Sequence, residues 1–187
     1  RWVVAVACTT LKGGRAEWLV EKLTELGAFM MIPLVTERSQ VGMTGRGCTA
    51  FFPNRISPGR LERVAIAATK QSLRPHVLHL APPTALADVL PDDGGGESFC
   101  LIAVAGAPPL ATRGCDAAGE SEGPLRVLFI GPEGDFTPAE LAALVQAGAR
   151  PVGLGTNRLR TETAAIGLLA ACLLTEDEGA EDELRWA

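Results

Sequence analysis

Three short stretches of this chain are apolar at every position, which is the feature that most restricts its fold. They are residues 2–8 (WVVAVAC), 29–35 (FMMIPLV) and 99–105 (FCLIAVA), and residues 126–130 (RVLFI) come close. A strand with one wet face alternates apolar and polar residues. A run that is apolar at both parities must be covered on both faces, as in a parallel sheet between helices. Helical periodicity separates these runs. Ala16, Leu19, Val20, Leu23 and Leu26 recur at helical spacing over 15–26, and Gly27 stops the helix. Ser57-Pro58 opens a second helix, a capping hydroxyl followed by proline, and it runs to about 73 because Arg74 precedes Pro75. Thr137 and Glu140 form a capping box with Pro138 between them, and Phe136 is placed to staple onto Leu141. That helix ends near Gly148, and a last helix covers 161–176. A short helix is expected over 84–90 and minor strands over 77–81 and 151–154. Pro33 marks an edge strand or a bulge. Residues 36–56, 91–98 and 107–124 read as loops. The fold class is therefore α/β, a mostly parallel sheet with helices on both faces.

At 187 residues the chain is one domain, 1–176, with an acidic tail at 177–187. It opens at Arg1 rather than Met, so it reads as a domain cut from a longer protein, and no secretory signal is visible. The longest apolar run, 164–174, has 11 residues, well short of the roughly 20 that span a bilayer, so no membrane is expected. Five cysteines without a CxxC pair argue against a disulfide framework or a zinc ribbon and for a reducing compartment. His76 and His79, three apart in an expected strand, point to opposite faces, and no metal is expected. The net charge of −5 hides an asymmetry: residues 1–74 carry 11 Lys and Arg against 5 Asp and Glu, whereas 75–175 carry 5 against 11. A basic first half keeps a nucleic-acid partner open despite the acidic total.

Three constellations suggest chemistry. In 130–136 (IGPEGDF) a buried strand ends, a Gly-Pro-Glu-Gly turn follows, and a capped helix begins. Ligands of open α/β sheets bind at such carboxyl ends. Glu133 and Asp135 would repel phosphate, and no Walker or GxGxxG pattern is present, so a cationic or neutral ligand fits better. In 153–165 (GLGTNRLRTETAA) a second glycine-containing loop leads into a helix, with Arg158, Arg160 and Glu162 crowded at the junction. The two loops would share one pocket. Arg160 could simply pair with Glu162, and Glu162 also suits a helix N-terminus. Third, Arg60, Arg63, Lys70 and Arg74 fall within one arc of the second helix, a stripe that is either a solvated face or a contact for an anionic partner such as RNA.

Taken in order, these residues resemble the SPOUT (trefoil-knot) methyltransferases. Among those they are most similar to the RsmE type, which methylates N3 of a uridine in small-subunit ribosomal RNA. The matching pieces are Lys22 with Glu25-Leu26-Gly27, Glu37-Arg38-Ser39, Gln71-Ser72 with Arg74, Gly131-Pro132-Glu133-Gly134, and Leu154-Gly155 with Leu159-Arg160-Thr161-Glu162-Thr163-Ala164. The family usually has a second glycine where this chain has Asp135, and commonly reads Pro-Arg-Ile where it has Thr156-Asn157-Arg158. The resemblance implies a deep C-terminal trefoil knot, a homodimer and S-adenosyl-L-methionine as cofactor. It implies a cofactor site of Val104, Ala105, Ile130, Gly131, Pro132, Glu133, Gly134, Leu154, Gly155, Leu159, Arg160, Thr163 and Ala164. RNA contacts would come from Arg38, Arg60, Arg63, Lys70, Arg74 and Arg158. Arg160 and Arg74 are candidates to stabilise the uracil anion or grip phosphate, and Glu162 to orient an arginine or accept the N3 proton. The family's N-terminal RNA-binding β-barrel is absent from this chain. The expected compartment is the cytoplasm, or an organelle if the source is eukaryotic. Two alternatives stay open: a SPOUT enzyme acting on another RNA, and a non-enzymatic dimeric RNA-binding or assembly protein.

Overall fold

A computed structural model describes residues 1–8, 14–39, 58–90, 99–110 and 125–176. The strands are β1 (Trp2–Val6), β2 (Met30–Val35), β3 (His79–Leu80), β4 (Thr84–Ala85), β5 (Phe99–Ala103), β6 (Arg126–Ile130) and β7 (Arg150–Val152). The helices are α1 (Arg15–Glu25), α2 (Pro58–Gln71), α3 (Leu86–Val89), α4 (Pro138–Gln146) and α5 (Thr161–Glu176). The strands form one sheet in the order β3-β2-β1-β6-β5-β7, with β4 also on β2, and every pair is parallel.

The all-apolar runs are explained by what each parity meets. On β1, Val4 and Val6 face a core with Leu19 and Leu23 of α1 and Leu168 and Leu169 of α5. Ala5 faces the opposite core with Leu86 of α3, Phe136 and Leu144. The same split divides Leu128 and Ile130 from Phe129 on β6. Both faces are thus covered by helices, and a polar residue at either parity would be buried without a partner.

Pro33 is neither on an edge nor in a bulge. Phe29 O and Met31 O accept from His79 and Ala81, so residues of this parity on β2 turn their backbone toward the outer neighbour. That neighbour changes at Pro33: β3 pairs with Met30–Met31 and β4 with Leu34–Val35. The missing N–H falls in the break between them, where a donor would have no ladder partner. The expected helix over 84–90 starts later, because Thr84 and Ala85 pair with β2 first. His76 lies in a bend ahead of β3 rather than within a strand. The loops expected at 91–98, the tail at 177–187, and most of those at 36–56 and 107–124 fall outside the described residues.

The second helix stops at Gln71. Leu73 takes φ 56°, a left-handed residue that ends the helix, and Arg74 leaves its axis. Arg74 Nη1 donates to Thr24 O at 2.6 Å and Nη2 to Ala28 O at 2.9 Å, so it caps the carboxyl end of α1. No described helix is long and apolar enough to cross a membrane.

Candidate functional site

The loops that leave β5, β6 and β7 at their carboxyl ends, with the first turn of α5, border one open cleft. Val104 and Ala105 line it after β5, Ile130, Gly131, Pro132 and Glu133 after β6, Leu154, Gly155 and Leu159 after β7, and Ala164 on α5. Ala103, Asp135, Asn157, Arg158 and Thr161 complete the wall. The two glycine loops therefore do share one pocket, and the segment after β5 joins them. Three residues named with this set stand apart from the lining. Gly134 faces Arg38, whose Cδ would lie 3.3 Å from an added Cβ, and Arg160 and Thr163 are exposed.

Local chemistry explains the loop after β6. Asp135 N donates to Pro132 O at 2.8 Å, which closes the turn and sets Asp135 at φ 59°. Glycine reaches this region freely, and aspartate is one of the few other residues that tolerates it. The capping box then starts α4 as expected: Glu140 N donates to Thr137 Oγ1 and Thr137 N to Glu140 Oε2. Two arginines brace the turn. Arg38 Nη1 donates to Gly134 O and lies 3.5 Å from Asp135 O and Phe136 O. Arg158 Nη2 donates to Glu133 O and reaches Asp135 Oδ2 at 3.2 Å, tying the β6 and β7 loops together. Arg38 and Arg158 thus hold the wall of the cleft.

Glu162 is buried, with 4% of its surface exposed, and its partner is not Arg160. Arg15 Nε and Nη2 donate to its two carboxylate oxygens, each at 2.7 Å. The Arg15 hydrogen bonds, opposed by burial, hold the Glu162 carboxyl below its usual range, and the same pair raises Arg15. Arg15 was not among the candidate residues. A signal for it existed: it is a cation at the N-terminus of α1, where the helix dipole disfavours positive charge, so it needs an acidic partner from elsewhere. The basic stripe is also smaller than the helical wheel suggests. Arg74 is off the helix, Arg60 pairs with Glu17 at 3.0 Å, and Arg63 and Lys70 are exposed. Among the described residues no group of three or more His, Cys, Asp and Glu could hold a metal ion.

Known proteins match this chain along most of its length. The ribosomal RNA small subunit methyltransferase E of Synechocystis sp. is 31% identical over 170 residues, 89% of this chain and 52% of that protein. The protein of the same name from Bacillus subtilis is 29% identical over 171 residues, 90% of this chain and 64% of that one. The chain thus spans between half and two thirds of the length of these relatives. The Neisseria gonorrhoeae ribosomal RNA small subunit methyltransferase E, solved bound to S-adenosyl methionine, superposes with a TM-score of 0.69 at 28% identity. That match covers 92% of this chain and 65% of the other. The model of the RNA methyltransferase domain family matches residues 1–173, and this chain belongs to that family.

Proposed function

We propose that this chain is the catalytic domain of an S-adenosyl-L-methionine-dependent methyltransferase that acts on N3 of a uridine in small-subunit ribosomal RNA. The observation behind this reading is the cleft: three consecutive carboxyl-end loops around one open space with both apolar and polar walls, in a chain of the RNA methyltransferase family. The lining fits the cofactor by its chemistry. Val104, Pro132, Leu159 and Ala164 offer apolar surface to an adenine ring. Gly155, where an added Cβ would meet nothing within 4 Å, leaves the backbone open to hydrogen bonds with it, whereas Gly131 makes room for Phe136. Glu133 and Asp135 supply the negative charge that a sulfonium and an ammonium group require. When bound, the cofactor supplies an electrophilic methyl group, and the protein's part is to position donor and acceptor and to exclude water. The backbone turns at 131–135 and 154–159 hold the donor, while Arg38 and Arg158 keep the first turn rigid.

Two further features belong to the same reading. Residues 104–109 lie directly against 152–153, with Gly153 N donating to Pro108 O at 2.8 Å and Val104 N to Val152 O at 2.9 Å, a crossing suited to a trefoil knot. Helix α5 is apolar on all sides, yet Leu174 is 70% exposed, and Trp18 of the neighbouring α1 is 44% exposed, a surface suited to a second copy of the chain. A ribosomal RNA substrate implies the cytoplasm.

Calorimetric titration with S-adenosylhomocysteine tests the reading. Saturable binding near one per chain is expected, abolished by Ala105→Trp, which fills the cleft from an exposed wall position. A folded chain that binds none would refute the cofactor site and favour a non-enzymatic RNA-binding role.

A further inference from the structure

The cleft has a cationic neighbour that the function above leaves unused. Arg15 and Glu162 meet across 147 residues of sequence, at the first turns of α1 and α5. Their contact is a two-pronged fork, with both bonds at 2.7 Å. Glu162 is buried, while the Arg15 side chain is 28% exposed. The fork uses Nε and Nη2, so Nη1 is not engaged by Glu162. Thr161, next to Glu162 in the first turn of α5, lines the cleft, so the pair lies beside that wall, with Arg15 itself outside the lining.

Glu162 suits the first turn of α5, whereas Arg15 does not suit that of α1. A guanidinium at the start of α1 opposes the helix dipole, and a buried carboxylate is costly unless paired. Such an arrangement makes sense where an oriented cation is required. The other arginines near the site are differently employed. Arg38 and Arg158 bind loop carbonyls, Arg74 caps α1, and Arg160 is exposed. Glu162 is poorly suited to be the base, since the two bonds from Arg15 stabilise its charged form and lower its basicity.

We propose that Arg15 is a catalytic residue that stabilises the negative charge developing on the acceptor base, and that Glu162 is its positioning residue. The proposal rests on the methyltransferase reading of the cleft. An imide nitrogen must lose its proton before it can attack. The proton leaves to solvent, and the electron pair left on N3 spreads onto the flanking carbonyl oxygens. The fixed guanidinium donates to that anion, so more of it exists at neutral pH. The pair on N3 then forms the new N–CH3 bond as the S–CH3 bond breaks, with that bond's electrons passing to sulfur.

The test measures transfer of labelled methyl from S-adenosylmethionine to small-subunit ribosomal RNA from neutral to alkaline pH, with S-adenosylhomocysteine affinity measured in parallel. For Arg15→Ala the neutral-pH rate should fall roughly 100-fold, the loss typical for one oriented donor. The deficit should narrow as pH rises, since the base then ionises unaided, and guanidinium added to the buffer should restore part of the rate. Affinity for S-adenosylhomocysteine should be retained. Glu162→Gln should show a smaller loss with the same pH trend. If Arg15→Ala does not fold, the double variant Arg15→Gln/Glu162→Gln removes both charges together and should show the same alkaline recovery. A variant that binds the cofactor product and turns over like wild type would overturn the assignment. So would a loss equal at every pH without guanidinium rescue, which is the mark of a structural pair. Failure of the wild-type chain to bind S-adenosylhomocysteine, or to methylate RNA once bound, would instead refute the reading of the cleft and remove the basis of the proposal.

Discussion

Gly153→Ala adds one methyl group at the crossing beside the cleft, and its cost can be worked out from the neighbours. A Cβ at this position would lie 2.2 Å from Ala107 O and 3.1 Å from Ala107 C. The tightest carbon–oxygen contacts found between backbones are about 3.3 Å, so one segment must retreat by roughly 1 Å. Neither is free to do so. Gly153 N donates to Pro108 O, Ala107 N to Val104 O at 3.3 Å, and Val104 N to Val152 O. Moving the carbonyl aside loses two or three of these bonds at about 1 kcal/mol each, and overpacking adds about 1–3 kcal/mol. The expected loss is about 3–6 kcal/mol, which for a domain of this size lowers Tm by roughly 6–24 °C. Val104, Ala105, Leu154 and Gly155 belong to the displaced segments and line the cleft. Affinity for S-adenosylhomocysteine should therefore fall by at least about tenfold, a change of about 1.4 kcal/mol. Differential scanning calorimetry and isothermal titration read the two effects. A variant that melts within about 2 °C of wild type, under 1 kcal/mol, and keeps its affinity would refute the close packing of 107 on 153.

Arg74→Ala should cost about 2–4 kcal/mol through loss of two charge-assisted hydrogen bonds to α1, seen as a lower urea midpoint. The salt dependence of RNA binding should stay unchanged, whereas a shallower slope would return Arg74 to the RNA interface. Glu162 sets an acid limb. Its folded pKa lies below its unfolded one, so its contribution is full above the unfolded value and lost as pH falls through the folded one. Urea midpoints should therefore drop more steeply below about pH 4.5 for wild type than for Glu162→Gln, and parallel curves would contradict the depressed pKa. On the proposed pairing of two copies through α5, Leu174→Glu should shift sedimentation of the wild-type dimer toward monomer, and a wild-type monomer or an unchanged dimer would refute that pairing.

The parts of the fold that could be read from sequence are those set by local chemistry. Thr137, Pro138 and Glu140 start α4 by contacts within four residues, and the run of β1 needs only that both parities be apolar. The cleft was legible for a related reason. Glycine-bearing loops at strand ends can go to few other places in a parallel sheet. What sequence could not show were partners chosen across the sheet. Pro33 looks like an edge residue until its outer neighbour is known to change from β3 to β4. Glu162 has Arg160 two residues away, yet Arg15 takes it, because the first turns of α1 and α5 are brought together by the packing of both helices on β1.

The arginines show why counting charge along a helix wheel misjudges such a site. An angle of 100° per residue assumes that the helix continues, and Leu73 ends it just before Arg74. It also treats a guanidinium as a point charge, when it is first a planar set of donors that seeks carbonyls and carboxylates. Arg38, Arg74 and Arg158 each find backbone oxygens, and Arg15 and Arg60 find carboxylates. Of the residues assigned to RNA from sequence, Arg38, Arg60, Arg63, Lys70 and Arg158 are all exposed, with Arg38, Arg60 and Arg158 also holding oxygens of the protein. A guanidinium that holds one oxygen of the protein keeps further donors and its charge, so each of these can still release about one ion per phosphate contact. Such contacts position the RNA without reading its sequence, and selection of the target base falls to the cleft, beside which Arg15 would, on the proposal above, recognise the acceptor by the charge it develops during the reaction.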